Sequence, residues 1–270
     1  MSADGVDLLR PAPPDSIDPL AMASFPLLPY ANRIANGRFS FGGRDHYLPL
    51  NFGDHPHSIH GHGWQSGWQV AEQRESGARL LLAHRGDARW PWAFGAEQSF
   101  SLTRFGLTMA LSLTNLSDEM APVGLGFHPY FLADEGTTLC FQADGLWLST
   151  PDMLPERPAP ADALGDWARG APVRGTHLVD NVYSGWDGRA EVMRGDGLKL
   201  IVEARGAPWL HVFRPPASSD FCLEPVSHMP DAINRPEGME SLPPGATRRL
   251  SMSITVGKND PALPKSAGIA

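Results

Sequence analysis

The sequence predicts an all-β protein, an antiparallel β-sandwich, and three observations predict it. Apolar residues recur with the two-residue period of a strand rather than the longer period of a helix. Glycine and proline, 28 and 26 of 270 residues, are abundant enough to supply many turns yet too few for a disordered chain. Strand-like runs follow one another at short intervals, each bounded by turn residues. With 42% hydrophobic residues, a chain of this length buries a substantial core.

Arg79 to His84 and Glu97 to Thr103 are the first clear strand candidates. The sharpest alternation comes next, where Phe105, Leu107, Met109, Leu111 and Leu113 alternate with Gly106, Thr108, Ala110, Ser112 and Thr114, predicting a strand with one apolar face. Thr138 to Ala143 is another candidate. Pro151 to Pro172 is rich in proline and reads as a long surface loop, with Ala161 to Arg169 as a turn or two of helix inside it. Arg189 to Arg194 and Leu198 to Ala204 flank Gly195-Asp196-Gly197, the pattern of a hairpin closed by a glycine turn. Pro208 to Arg214 and Asp220 to Glu224 follow. A last strand is predicted where Leu250, Met252, Ile254 and Val256 alternate with Ser251, Ser253 and Thr255. No repeat, linker or shift in composition marks a boundary, so residues 1–270 are expected to form one domain.

A formal charge of −8 without a basic tract argues against nucleic acid or an anionic membrane as a partner and favours a neutral small molecule. No apolar run is long enough for a bilayer, and the N-terminus lacks the basic and apolar regions of a signal peptide, so a cytoplasmic protein is expected. Cys140 and Cys222 stand far apart without metal-ligand spacing and read as reduced core residues.

Four polar-aromatic islands interrupt the strand pattern. In Gly126-Phe127-His128-Pro129-Tyr130-Phe131, proline biases His128 toward an extended backbone and aromatic residues crowd its ring, which makes it a candidate proton carrier. Glu224 ends an apolar strand just before Pro225, where its carboxylate suits a general base. The two groups complement each other, since together they could take a proton from one oxygen and give one to another. Arg33, embedded in Pro29-Tyr30-Ala31-Asn32-Arg33, needs either a solvated head or an anionic partner. His55, His57, His60 and His62 have the composition of a metal site, but no glutamate follows at the short spacing a cupin requires. Glycines there permit close backbone approach by a ligand, and Trp64 offers a flat face to a sugar. For each residue a purely structural role is the alternative.

In order along the chain, Pro29-Tyr30-Ala31-Asn32-Arg33-Ile34, Ile59-His60-Gly61, the His128 hexapeptide, Val179-Asp180-Asn181-Val182-Tyr183 and Leu223-Glu224-Pro225 resemble the aldose 1-epimerases, the mutarotases. The resemblance runs from about Phe25 to Val256. It implies a β-sandwich of the galactose-mutarotase type and an isomerase that interconverts the anomers of a free hexose or related aldose without cofactor or metal. It also implies His128 as general acid on the ring oxygen and Glu224 as general base on the C1 hydroxyl, the two facing one cleft about a sugar ring apart. Arg33, His60 and Asp180, with neighbouring Asn32, then hold sugar hydroxyls.

One departure from the family stands out: only about two dozen residues precede the first island. The first strands of the sandwich are therefore expected to be missing. Either a sheet edge is left uncapped, which favours dimerisation or strand exchange, or the natural start lies upstream. A monomer or homodimer is expected. A phosphosugar epimerase is the alternative enzyme, with Arg38, Arg44 and Arg74 as available cations, and a non-catalytic sugar-binding domain is the alternative from another class.

Overall fold

The structure, a computed structural model, describes residues 1–3 and 5–258. Antiparallel pairing arranges most of their strands in two large sheets. The nine-stranded sheet has the order Ala171–Pro172, Thr138–Phe141, Arg189–Met193, Leu198–Arg205, Thr247–Lys258, Gly106–Asn115, Phe94–Thr103, Gly77–His84, Gln69–Arg74. The eight-stranded sheet has the order Pro155–Pro160, Gly145–Ser149, Val179–Ser184, Trp209–Arg214, Asp220–Val226, Gly126–Phe127, Pro26–Leu27, with Tyr130–Leu132 also paired to Asp220–Val226.

The two sheets enclose one apolar cluster. Met109, Leu111, Leu113, Leu250, Met252 and Ile254 of the first meet Val179, Leu210, Val212, Phe221 and Leu223 of the second. Each such side chain contributes about 1.5–3 kcal/mol by leaving water. The alternation read from sequence becomes register, with Met109 opposite Met252 and Leu111 opposite Leu250. Phe105 departs from it: the strand begins at Gly106, and Phe105 lies 60% exposed in the preceding turn. The hairpin around Gly195-Asp196-Gly197 forms as predicted, pairing Met193 with Lys199.

The proline-rich stretch is more ordered than a loop. Pro155–Pro160 pairs with Gly145–Ser149 at the end of the eight-stranded sheet, because an edge strand needs only half its N–H groups and so tolerates three prolines. Of the helix expected at Ala161 to Arg169, only a 3-10 turn at Trp167–Arg169 forms. Cys222 is buried, but Cys140 is only half-buried rather than in the core. Among the described residues no helix is long and apolar enough to cross a membrane.

The N-terminal arm covers the edge that the sequence leaves in doubt. Leu8 and Leu9 are buried, Leu9 bridges Phe131, and the Leu132 N–H donates to the Leu8 carbonyl. The Arg10 guanidinium lies 3.5 Å above the Tyr130 ring and donates to the carbonyls of Leu20 and Met22. That clasp lays residues 18–25 across the outer face of the eight-stranded sheet.

Candidate active site

From Phe221 to Val226 every residue is buried, because both faces of this strand are covered. Phe221 and Leu223 enter the inter-sheet core, so strand alternation turns Cys222, Glu224 and Val226 to the outer face. Pairing with the neighbouring strands sets Val182, His211 and Glu224 in one row across the sheet. Asp180, Phe213, Cys222 and Tyr130 form the next row. Three strands thereby bring Asp180, His211 and Glu224 together without any loop.

Two irregular segments close over that floor. Asn32 and His60 both have left-handed backbones, with φ of 56° and 60°, and each ties down the other. The His60 N–H donates to the Asn32 carbonyl at 2.8 Å, and the Asn32 N–H donates to His60 Nδ1 at 3.1 Å. The second bond leaves the proton of neutral His60 on Nε2. Gly61 must be glycine: its φ is 66°, and a Cβ would collide with the Leu28 carbonyl and the Pro29 ring.

A cavity of about 160 Å³ results, lined among others by Asn32, Arg33, His60, His128, Asp180, His211 and Glu224, with Phe25, Trp64 and Phe213 as apolar walls. This is below the size of a typical drug-sized pocket and suits one small ring. His128 is held by its N–H bond to the Phe25 carbonyl and stacks on the Phe25 ring at 4.5 Å. Its Nε2 lies 3.3 Å from Glu224 Oε1. His128 Nδ1 and Glu224 Oε2 are buried without a protein partner.

Electrostatics divide the two carboxyls. Burial raises the proton affinity of Glu224 well above the carboxylate range, the charge of Asp180 adds to this, and Arg33 offsets only part of it. Burial would raise Asp180 as well, but a hydrogen bond from His211 and the charge of Arg33 prevail and hold it well below that range. His211 Nε2 is 2.6 Å from Asp180 Oδ1, and Arg33 Nη2 is 2.9 Å from Oδ2. Arg33 Nη1 donates to Asn32 Oδ1 at 3.0 Å. Burial also pushes His60 and His128 down, reinforced at His60 by the charge of His128 and at His128 by that of His211.

Residues 2–255 match the family described as Aldose 1-epimerase. The chain belongs to the aldose 1-epimerase family. It is 34% identical over 267 residues to the uncharacterized protein YphB of Escherichia coli K12, covering 94% of this chain and 90% of YphB. A crystal structure from Escherichia coli K12, provisionally described as an aldose 1-epimerase, superposes with a TM-score of 0.87 at 33% identity, over 94% of this chain and 90% of that one. The galactose mutarotase of Mus musculus is 24% identical over 245 residues, 77% of this chain and 70% of the mouse protein.

Within this epimerase fold, all six residues singled out by sequence line one cavity: Asn32, Arg33, His60, His128, Asp180 and Glu224. The cations considered for a phosphate do not. Arg44 pairs with Glu119 and Arg74 with Glu72, while Arg38 is exposed over Tyr47. Nor does the histidine run converge on one ion. His55 accepts from Arg33 Nε, His57 faces Asp152, and His62 packs on His84, leaving His60 alone in the cavity. Trp64 does reach it.

Two functional positions escaped the sequence reading. His211 lies in the strand Leu210-His211-Val212, and a histidine inside an apolar strand signals a built partner, which here is Asp180. His228 holds the first island from behind: its Nδ1–H donates to the Met229 carbonyl at 2.8 Å and its Nε2 accepts the Ala31 N–H at 3.1 Å. Burial lowers its pKa to about 4, which keeps that acceptor free. The expected spacing of the acid and base also differs, since His128 and Glu224 touch rather than stand a ring apart.

Proposed function

We propose that this protein interconverts the α and β anomers of a neutral free aldose by acid–base ring opening. The observation that carries the reading is the 3.3 Å contact between His128 Nε2 and Glu224 Oε1 beside a cavity for one small ring. The two reacting oxygens of a cyclic aldose, the ring oxygen and the C1 hydroxyl, are bonded to the same carbon. An acid and a base that serve both must converge, as this pair does.

Proton affinities fit the task when the pair is counted as a unit. Burial favours neutral imidazole beside neutral carboxyl, a state with one proton between two groups. Imidazolium beside carboxylate holds the same single proton. A sugar arriving between them therefore needs only a proton shift, not a change in total charge, to meet His128 as acid and Glu224 as base. Glu224 takes the C1 hydroxyl proton as His128 protonates the ring oxygen, and the C1–O5 bond breaks to give the open aldehyde. Rotation about C1–C2 presents the other carbonyl face. His128 then takes the C5 hydroxyl proton while Glu224 returns one to the carbonyl oxygen, closing the opposite anomer with the pair restored.

Asp180 accepts from sugar hydroxyls, while Arg33, Asn32 and the His60 Nε2–H donate to them. Phe25, Trp64 and Phe213 cover C–H faces. Among the described lining residues Arg33 is the one guanidinium, and it is already paired with Asp180, which favours a neutral sugar over a phosphorylated one. The test is anomer equilibration of single-anomer aldoses by polarimetry, with exchange NMR at equilibrium. Rates equal to the buffer control across a panel of aldoses, or binding without exchange, would overturn the proposal.

A further inference from the structure

Cys222 takes no part in the acid–base chemistry, yet strand alternation aims its side chain at it. It stands two residues before Glu224 on the same face of the strand and directly opposite Tyr130. One donor atom each from His128, Cys222 and Glu224 lies within 4.8 Å of the other two, and all three residues are buried. A second observation points the same way: Glu224 Oε2 and His128 Nδ1 have no protein partner although both are shut off from solvent.

We propose that His128, Cys222 and Glu224 form a binding site for a thiophilic divalent cation of the Zn²⁺ type, and that occupancy of this site blocks sugar turnover. Imidazole nitrogen, thiolate sulfur and carboxylate oxygen are the donors Zn²⁺ takes, and three protein donors leave a fourth position for another ligand. The thiolate disfavours Mg²⁺ and Ca²⁺, which prefer oxygen. Charge balances as well, because a divalent cation with one thiolate and one carboxylate is neutral overall, the state a buried site tolerates best. On binding, the metal–sulfur bond replaces the S–H bond, and the thiol proton passes to solvent together with the proton held between Glu224 and His128. Nothing is oxidised. The site itself stands on geometry alone, whereas inhibition rests on the proposed mutarotase activity.

The experiment uses the full chain with Cys140→Ser, which leaves Cys222 as its one thiol. Titration with Cd²⁺ or Co²⁺ alone should give a thiolate-to-metal charge-transfer band that saturates at one ion per chain. The band should vanish on adding Cys222→Ser, or Cys222→Ala should the serine variant fail to fold. No band, or a band that survives both substitutions, overturns the site. In parallel, Zn²⁺ at ten times its dissociation constant should lower anomer exchange about tenfold and a chelator should restore it, with less than about a twofold effect in the Cys222 variant. Equal inhibition in both proteins overturns the blocking role. Should metal-free protein show no exchange with any aldose, the enzymatic reading fails while the charge-transfer band still decides the site.

Discussion

Asp180 and Glu224 are buried carboxyls of one cavity whose proton affinities are driven in opposite directions. Asp180 is held ionised by His211 and Arg33, whereas Glu224 has a single imidazole contact and a carboxylate nearby to repel its charge. Environments that separate two like groups in this way assign them different work. In the proposed mechanism Asp180 therefore accepts hydrogen bonds throughout, and Glu224 gains and loses a proton.

Replacing either member of the proton-carrying pair should remove turnover and leave the fold in place. Glu224→Gln and His128→Gln are expected to slow anomer exchange by about a hundredfold to ten-thousandfold, the usual worth of a positioned acid or base. Exchange NMR measures the rate, and a circular dichroism spectrum like that of the parent shows that the sandwich survives. A Glu224→Gln protein at full rate would remove Glu224 from the mechanism.

The pH profile should be a broad plateau. Because burial lowers the affinity of His128 for a second proton, the acid limb of kcat/KM is expected below the ordinary histidine value of 6.5. Because Glu224 is raised, the alkaline limb is expected well above the ordinary carboxylate value of 4.5. Activity needs one proton on the pair, so it falls when a second is added or the single one is lost. An acid limb at or above pH 6.5 would contradict the assignment.

Asp180→Asn should destabilise the protein, since it leaves Arg33 buried without a counter-charge. Breaking a buried pair in this way costs about 3–5 kcal/mol. The sign with pH follows from the depressed affinity of Asp180: its stabilisation is complete above its ordinary value of 3.8 and is lost as pH falls toward the lower folded value. Denaturant unfolding of both proteins should therefore show a gap at neutral pH that narrows below pH 3.8.

Gly61→Ala should weaken both stability and substrate binding. The left-handed backbone costs a non-glycine residue roughly 1–2 kcal/mol, and the collision with the Leu28 carbonyl adds to it. His60 is the adjacent residue, so KM for a good aldose should rise more than kcat falls. A KM unchanged within error would show that the turn does not position His60.

Neutral sugars should be preferred over their 6-phosphates by more than about tenfold in kcat/KM, because among the described lining residues a phosphate dianion finds no Lys or Arg other than Arg33, which is paired with Asp180. Competition between a hexose and its 6-phosphate measures this directly. Preference for the phosphate would reverse the substrate assignment.

Period and turn chemistry made the strands legible, and the order of the islands made the family legible. The alternation from Leu107 to Leu113 survives as register, and the glycine turn at residues 195–197 closes its hairpin. Pairing between distant strands is what sequence does not carry. That His211 lies across from Glu224 depends on register, so His211 looked like one more residue of an apolar run. The edge strand Pro155–Pro160 was hidden for a different reason, since its prolines break the usual strand signature and are tolerated only because one side is unpaired. The histidine run has the composition of a metal site without its glutamate, and in space its members take separate partners: Arg33 for His55, Asp152 for His57 and His84 for His62.

The clasp that Arg10 makes ties the completion of the candidate site to the end of folding. Arg10 bonds Asp220 across 210 residues of chain, and the arm it anchors carries Leu20 and Phe25 into the wall opposite Glu224. The cavity thus joins segments about 200 residues apart, from Leu20 to Glu224. Contacts of such sequence separation form late, after the entropy of a very long loop has been overcome. In refolding, secondary structure should therefore return before the proposed anomer exchange, whose recovery would then gauge whether the last long-range contact has closed.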